Sequence, residues 1–540
     1  MVPVADVGRL DRPRADPGPR RPAGVAFGVR EGLAWVTSSL AGIRALVVLA
    51  AIGGGLAVGV ATAYKPKIGI ALVIGIAGAL VVLRRLEIGG LLLVSVAPDL
   101  SGLRRGFPIP SLRLTEALTA GVATLVFLFL RRSRAVPWTR VEWLAVAFSL
   151  GGFAIGLYDA HRLGAHLGFQ DYGTLIGPFQ FFLLFRSIRV VMHSERWRNR
   201  ALRVFLYSSV PVSLLAIAQQ LKVPKVRSFV VTMTGSDVLV GPGSGYSSFN
   251  RATGPFPHWT PLAGYLTVIL VLSLCIVMQR DFDPLPRRRL YTVMVLDAIA
   301  MAFTAELSAI IGMVLALILI GAMTHQLRRI LEVAAVVVLM VSMIVGPFLA
   351  SRIQAEYTKK AGTSHSSLIP QTIEFRLSIW DHQYFPAIGD RPVLGYGVVN
   401  PPMVDWPATE SQYVTILERG GAVLMGLYIA LMLGLASAGF VIFRSIDDPL
   451  ARVTGLSVAV MVIILVPMNS IFPYFEDSGL PQALWVLVGI SMACVRGRLP
   501  SIGSARMDAW LRRSAMAPDD QFVPSGLLVG QGLRTMYGDR

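Results

Sequence analysis

Residues 259–279 read WTPLAGYLTVILVLSLCIVMQ, and this stretch holds no charged side chain over a length that crosses a bilayer. Thr260 followed by Pro261 makes an N-cap and first-turn pair, so we expect a helix to begin there. Apolar runs of similar length recur along the 540-residue chain, in which 54% of the residues are hydrophobic and only 15% are charged. The sequence therefore predicts an all-α polytopic membrane protein.

The apolar runs predict about 12–14 transmembrane helices, because the third and the ninth of fourteen runs are short. The predicted spans cover residues 42–62, 68–84, 86–99, 114–130, 141–158, 173–192, 201–220, 259–279, 290–304, 306–323, 330–350, 412–442, 451–469 and 480–496. Together they predict a transmembrane domain over residues 42–496. A disordered tail is expected at 1–41, where Arg, Pro and Gly dominate, and a polar tail at 497–540.

The formal charge of +18 comes largely from arginines in short loops between spans. Arginine-rich loops at 131–134, 186–200 and 280–289 fall on one side in the predicted order of spans, together with the basic N-terminal tail. We therefore expect a multi-pass protein of the cytoplasmic (inner) membrane with both termini in the cytoplasm. The lysines fall on the opposite side, mostly in long loops, where positive charge is a weak guide to membrane orientation. Orientation and anionic lipid headgroups explain the charge, so nucleic acid is not an expected partner.

Two long loops, 221–258 and 351–411, are predicted to face outward and to carry short helices. The second contains EFRLSIWDHQYFPAIGDRPVLGYG at residues 374–397. Its apolar residues recur at helical spacing and predict an amphipathic helix with this stripe: Leu377, Trp380, Tyr384 and Ile388. Arg376 lies one turn before Trp380, either as a functional cation or as an anchor to lipid headgroups. Glycines in the following turn predict a close backbone approach to another part of the protein.

The first outward loop ends in RATGPFPHWT, which places Arg251 and His258 just outside the next span. Arg251 either binds a substrate anion or contacts headgroups, and His258 is either functional or a hydrated interfacial residue. After the second loop comes PATESQYVTILERGG at 407–421. Thr409 and Gln412 fit a capping box, which predicts that a helix begins there. Glu410 then falls in the first turn, where it complements the helix dipole or acts as a base.

These three segments, in this order and on one predicted side, resemble the O-antigen ligase and polymerase family of bacterial membrane glycosyltransferases. RATGPFPHWTPLAGYL is similar to the family's arginine–glycine segment that opens a span. FRLSIWDHQYFPAIGDRPVLGYG is similar to its arginine–tryptophan helix and P-x-x-G-x-G turn, and SQYVTILERGGAVLMGLYIAL to its segment entering the next span. The resemblance covers about residues 240–440.

The resemblance implies a GT-C-like fold and an inverting transfer of glycan from undecaprenyl pyrophosphate to a sugar hydroxyl at the outer membrane face. No cofactor and no metal are implied; arginines suit the growing charge of the pyrophosphate. Implied partners are the lipid-linked donor, a glycan or lipid-linked acceptor, the bilayer, a chain-length regulator and a flippase. The catalytic candidates are Arg251, Arg376 and Glu410. The substrate-binding candidates are His258, Trp380, Asp381, His382, Arg391 and Tyr413.

The chain departs from the family pattern at two positions. Ligases of the family carry a histidine where this chain has Glu410, and their usual Ser-Arg pair appears here as Glu306-Leu307. The first departure favours a polymerase or a divergent member over a strict lipid A-core ligase. Glu306 is either an intramembrane acid, and so a functional candidate, or an interfacial residue. A lipid-linked oligosaccharide flippase and a non-catalytic assembly protein remain alternative functions.

Other motifs carry less weight. Asp281-Phe282-Asp283 has the D-x-D spacing of nucleotide-sugar enzymes but lies in a predicted cytoplasmic loop too short for a nucleotide-binding fold. GPGSG at 241–245 lacks the preceding strand and following lysine of a phosphate loop, so it is interpreted as a linker. Cys275 and Cys494 fall inside predicted spans, which argues against a disulfide framework or a cysteine metal site.

Overall fold

The computed structural model describes residues 75, 77–105, 113–129, 136–236, 251–279, 281–357, 371–406, 408–476 and 478–495. Over these residues the secondary structure is helical, without strands. The predicted tails at 1–41 and 497–540, the span at 42–62, residues 68–74 and 76 of the next span, and the GPGSG segment lie outside this description. Residues from Ala77 onward form the unit that is described below.

The helices of this unit follow the predicted spans closely. In chain order they are α1 (Leu86–Asp99), α2 (Leu114–Phe129), α3 (Arg140–Arg162), α4 (Phe169–Val191), α5 (Glu195–Gln220), α6 (Val226–Thr234), α7 (Trp259–Met278), α8 (Arg287–Thr304), α9 (Leu307–Thr324), α10 (Leu327–Tyr357), α11 (Gln371–Ile379), a π-helical turn (Trp380–Tyr384), α12 (Phe385–Asp390), α13 (Gln412–Ser445), α14 (Pro449–Ile471) and α15 (Leu480–Ala493). The predicted span at 86–99 is reproduced residue for residue.

Seven of these helices are long and apolar enough to cross a membrane by length and composition, and two shorter apolar helices accompany them. The seven are α3, α4, α5, α7, α9, α13 and α14. This finding confirms the all-α polytopic membrane class. The number of about 12–14 spans stays a prediction, because part of the predicted set lies outside the described residues.

The helix quoted first in the sequence, α7, is the core of the bundle. Every residue from Trp259 to Met278 is buried, and α8, α9, α14 and α15 pack around it. A helix that is apolar on all sides belongs in such a position. Its predicted N-cap at Thr260 is wrong by two residues: the helix begins at Trp259, and the side chain of His258 accepts a hydrogen bond from the Thr260 N–H. The reason is that the imidazole can cap the first turn as a hydroxyl does.

Close backbone contact joins α13 to α14. A Cβ added to Gly439 would lie 2.7 Å from the carbonyl oxygen of Gly455, and one added to Gly455 would lie 2.9 Å from the carbonyl oxygen of Gly439. Small residues on facing helices allow this approach within a membrane. The contact lies near the C-terminal end of α13 and the N-terminal end of α14, close to the connection between the two helices.

A buried ion triad joins α3 to α4. Glu142 accepts hydrogen bonds from Arg186 and Arg189, each at 2.7 Å, and its side chain is fully buried. The Thr139 hydroxyl and Glu142 also form the capping box of α3. The paired charges make this cluster structural.

The second of the two long loops begins later than predicted, because α10 continues to Tyr357. In the predicted amphipathic helix, Trp380, Tyr384 and Ile388 do pack into a small apolar cluster. Leu377 does not: it is 49% exposed, and Ile379 takes its place at 6%. The π-helical turn explains the correction, because its wider turn shifts which residues share a face. The following turn, residues 390–397, is called the glycine turn below.

Candidate active site

A break in α13 creates the junction at which the predicted motifs meet. Gly421 has φ 56° and ψ −157°, a conformation that only glycine adopts without strain. Such a break leaves backbone groups without helical partners. The glycine turn supplies them: the Tyr396 N–H donates to the Glu418 carbonyl at 2.7 Å, and the Ala422 N–H donates to the Pro392 carbonyl at 2.8 Å. The second and third motifs therefore form one structural unit.

Glycine is required on both sides of this junction. A Cβ on Gly421 would lie 2.3 Å from the backbone of Val393. A Cβ on Gly395, where φ is 72°, would lie 2.4 Å from the Glu418 carbonyl oxygen. The close approach that the glycines predicted is confirmed, and its target is the last turn before the break in α13.

A cavity of about 340 Å³ opens beside the junction, within the size range of small-molecule sites. Its wall is built by the first turns of α4, the glycine turn and the residues after it, the start of α13 and the segment after α14. The lining residues are Asp171, Thr174, Gly397, Val398, Val399, Asn400, Ala408, Thr409, Glu410, Thr415, Glu418, Arg419, Phe472, Pro473 and Glu476.

Four carboxylates belong to this lining: Asp171, Glu410, Glu418 and Glu476. Asp171 accepts the Gly168 N–H at 2.8 Å, and Glu476 pairs with Arg419 at 2.5 Å. Glu418 is only 8% exposed, and its carboxylate makes no hydrogen bond or ion pair with any residue that the structure describes. Sequence reasoning missed Glu418, although an acid two residues before Gly420-Gly421 in a helix with an apolar stripe was a usable signal.

Glu410 and Arg376 form an ion pair at the edge of the cavity. Nη2 of Arg376 donates to Oε2 of Glu410 at 3.2 Å, and both side chains are about one-fifth exposed, at 18% and 22%. The predicted capping box is wrong: Ser411 is the N-cap of α13, without a side-chain cap, and Thr409 bonds instead to Thr415. Glu410 consequently lies before the helix, at φ 56°, and not in its first turn. The turn of the backbone at Glu410 directs its carboxylate to Arg376.

Two aromatic residues of the arginine–tryptophan segment form hydrogen bonds to the loop segment that carries Glu410. The Trp380 indole N–H donates to the Thr409 carbonyl at 2.6 Å, and the Tyr384 hydroxyl donates to the Trp406 carbonyl at 2.6 Å. Trp380 therefore reaches the site through the backbone next to Glu410, and it does not line the cavity.

The other predicted binding residues of these segments do not line the cavity. Asp381 and His382 are exposed, at 78% and 74% of their side chains. Arg391 lies over the Tyr396 ring at 4.6 Å, and the Tyr413 hydroxyl donates to the Val466 carbonyl at 2.8 Å.

Arg251 and His258 connect to the cavity through a set of aromatic rings. The buried Arg251 guanidinium lies 4.4 Å from the centre of the Trp259 ring, which contacts His258. His258 stacks on Phe472, a cavity-lining residue, with ring centres 6.1 Å apart. Burial, and secondarily the charge of Arg251, lowers the pKa of His258 to about 3. His258 is thus a neutral imidazole at physiological pH.

Glu306 extends this network at the start of α9. Its carboxylate accepts the Thr260 hydroxyl at 3.1 Å and the Ser308 hydroxyl at 2.7 Å. Ser308 in turn bonds to the hydroxyl of Tyr474 at 2.6 Å. Glu306 lies at a helix end, partly exposed, so the interfacial interpretation of this residue is favoured over the intramembrane one.

The family model described as O-antigen ligase matches residues 292–429. The match begins in α8 and ends in α13, so it includes Arg376, Glu410 and Glu418 and excludes Arg251 and His258. None of the curated proteins compared with the chain matches it. In the described residues, no group of three or more His, Cys, Asp or Glu side chains is placed to hold a metal ion. Residues 292–429 are thus similar to the O-antigen ligase family, and the seven long apolar helices are those of a multi-pass membrane protein.

Proposed function

We propose that this protein is a membrane glycosyltransferase that moves a glycan from undecaprenyl pyrophosphate to a sugar hydroxyl, at the outer face of the cytoplasmic membrane. The observation that carries the proposal is the cavity beside the helix break. Arg419, Glu410 and Glu418 line it, and Arg376 reaches its edge through the ion pair with Glu410. A pyrophosphate leaving group needs cations, and a sugar hydroxyl needs a proton acceptor; both kinds of group are present.

In the proposed reaction the acceptor oxygen attacks the anomeric carbon of the donor sugar. The bond between that carbon and the pyrophosphate oxygen breaks, and its electron pair stays on the pyrophosphate. A single displacement of this kind inverts the anomeric centre. The hydroxyl proton passes to a carboxylate of the cavity, and the extra negative charge on the pyrophosphate is met by arginine.

Arg376 is the proposed pyrophosphate-binding residue. Its planar guanidinium binds phosphate oxygens in pairs, which lysine does not reproduce. The Glu410 carboxylate accepts a hydrogen bond from this guanidinium, and in the proposed reaction the donor pyrophosphate takes its place. Arg251 supports the site from the other side of Trp259, with the neutral His258 as a hydrogen-bonding group. A chain-length regulator and a flippase remain the proposed partners.

The proposal is tested with the purified full chain in detergent, given an undecaprenyl-pyrophosphate oligosaccharide as donor and the same glycan as acceptor. We expect a longer glycan, detected by mass spectrometry, with release of undecaprenyl pyrophosphate. Addition of a chelator should leave the rate unchanged, since arginine meets the charge. A flippase gives no product in detergent and moves the donor across sealed vesicles; that pair of results would replace the proposal.

A further inference from the structure

We infer that Glu418, and not the sequence-predicted Glu410, accepts the proton of the acceptor hydroxyl. This inference rests on the proposed function, because it assigns a role within the same reaction. Glu418 lines the cavity from the last turn of α13 before the break, and its side chain is only 8% exposed.

The first argument is availability. A carboxylate takes a proton more readily when no cation or hydrogen-bond donor already stabilises its charged form. Glu410 is engaged by Arg376 at 3.2 Å, Glu476 by Arg419 at 2.5 Å, and Asp171 by the backbone at the start of α4. Glu418 has no such partner among the described residues, although it is open to the cavity.

The second argument is that Glu418 does not serve the fold. It lies in the last turn before the break, where the helix dipole presents its negative end and an acidic side chain is unfavourable. The burial of most of the Glu418 side chain also takes water from its charged group, which costs free energy of folding. The chain therefore carries this group at a cost to stability, which is the pattern of a residue retained for chemistry.

The third argument is position. The Glu418 backbone carbonyl accepts the Tyr396 N–H at 2.7 Å, so the glycine turn holds this turn of helix in place. Arg419, the next residue, is held by Glu476. The carboxylate of Glu418 is thus on a rigid element between the arginine edge of the cavity and the glycine turn, where an acceptor sugar has room. In the reaction it takes the hydroxyl proton as the new carbon–oxygen bond forms, and it returns that proton to water after product release.

The experiment compares Glu418→Gln, Glu418→Asp and Glu418→Ala with Glu410→Gln, in the detergent assay with the full chain. General-base help is worth about 10²–10⁴-fold, so Glu418→Gln should lower kcat by that factor with little change in the donor KM. Glu418→Asp should retain part of the rate, and added formate should restore part of the rate of Glu418→Ala. Glu410→Gln should act mainly on the donor KM, since it changes the partner of Arg376. Glu332→Gln, at an exposed position, is the neutral control.

Thermal unfolding separates a base from a structural residue. Because the Glu418 carboxylate has no hydrogen bond or ion pair within the described part of the chain, Glu418→Gln should melt at or above the temperature of the unmodified protein while losing its rate. A near-normal kcat in Glu418→Gln overturns the inference, as does a lost rate that comes with a lower melting temperature and no formate rescue. If the unmodified protein makes no glycan at all, the proposed function has failed, and that result is distinct from both.

Discussion

Arg376 and Glu410 are separated by 34 residues in the chain, and their side chains meet at 3.2 Å at the edge of the cavity. The pair joins the arginine–tryptophan segment to the loop segment that leads into α13. It is only partly buried, so its own contribution to stability is about 0–1 kcal/mol. Its value to the protein is the placement of a guanidinium beside the cavity.

Arg376→Ala should therefore remove activity without unfolding the protein. Charge-assisted hydrogen bonds are worth about 1.5–3 kcal/mol each, so loss of the guanidinium should lower kcat/KM by roughly 10–10²-fold for each bond made. Arg376→Lys should recover little, because the paired geometry is lost. Glycan output and protein level are the measurements, and Arg452→Ala, an exposed arginine at the other end of α14, is the control. Full-length product from Arg376→Ala would make this residue an interfacial anchor.

Gly421→Ala should destabilise the junction. The positive φ costs about 1–3 kcal/mol for an alanine, and the added Cβ would also lie 2.3 Å from the Val393 backbone. We expect a lower melting temperature in detergent and a loss of glycan output. Gly426→Ala in the same helix is the matched control, because nothing lies within 4 Å of its added Cβ. It should be neutral or stabilising by up to about 1 kcal/mol. Equal behaviour of the two variants would show that the break does not need glycine.

His258 should make the protein less stable in mild acid. Its pKa in the folded protein is about 3, against 6.5 for an ordinary histidine, so the unfolded chain binds a proton that the folded chain refuses. Stability from this residue is fully present above pH 6.5 and falls as the pH drops toward 3. His258→Gln keeps an acceptor for the Thr260 N–H. When the pH is lowered from 7.5 to 5, the melting temperature of this variant should fall less than that of the unmodified protein. The exposed His382→Gln is the control, and parallel curves for all three proteins would contradict the prediction.

The candidate site and the basic end of the bundle should lie on opposite sides of the membrane. Glu306 precedes the first residue of α9 and His325 follows the last, and eighteen residues of helix span about 27 Å. His325 lines a second cavity with Arg444 and Arg452, so arginines gather at the end away from the candidate site.

An impermeant thiol reagent tests this orientation. In a background without the two buried cysteines, Cys275 and Cys494, the exposed variants Ser228→Cys and Asp381→Cys should be labelled in intact cells. Asp447→Cys, after the end of α13, should be labelled only after lysis. The reverse pattern would invert the topology and place the cavity in the cytoplasm, away from a donor presented outside.

Much of the helical architecture could be predicted because it depends on local pattern. The run of apolar residues at 259–279 predicted α7 to within one residue at its end, and the spans from 86 onward follow in the same way. A membrane helix satisfies its own backbone hydrogen bonds, so its length and composition are enough to recognise it. The glycines at 395 and 397 were informative for a similar reason, since the freedom to adopt a positive φ without strain is a local property of glycine.

Pattern was less reliable at the ends and faces of short segments. Ser411, not Thr409, caps α13, because Thr409 bonds to Thr415 in the folded protein. Leu377 is exposed where helical spacing placed it on the packed face, because the π-helical turn after Ile379 changes that spacing. Residue spacing along the chain shows neither the hydrogen bond between Thr409 and Thr415 nor the change from α-helix to a π-helical turn.

The sequence alone thus determined the membrane class, the order of the helices and the three segments that carry arginine, aromatic and acidic residues. The roles of the carboxylates depended on the folded chain. Glu410 and Glu418 are close in sequence and similar in chemistry, yet the Glu410 carboxylate meets Arg376, and the largely buried Glu418 carboxylate meets no cation or hydrogen-bond donor of the described residues. A hydrogen bond or an ion pair is made between atoms in space, and here the partner came from 34 residues away, brought in by a glycine turn that docks on a broken helix.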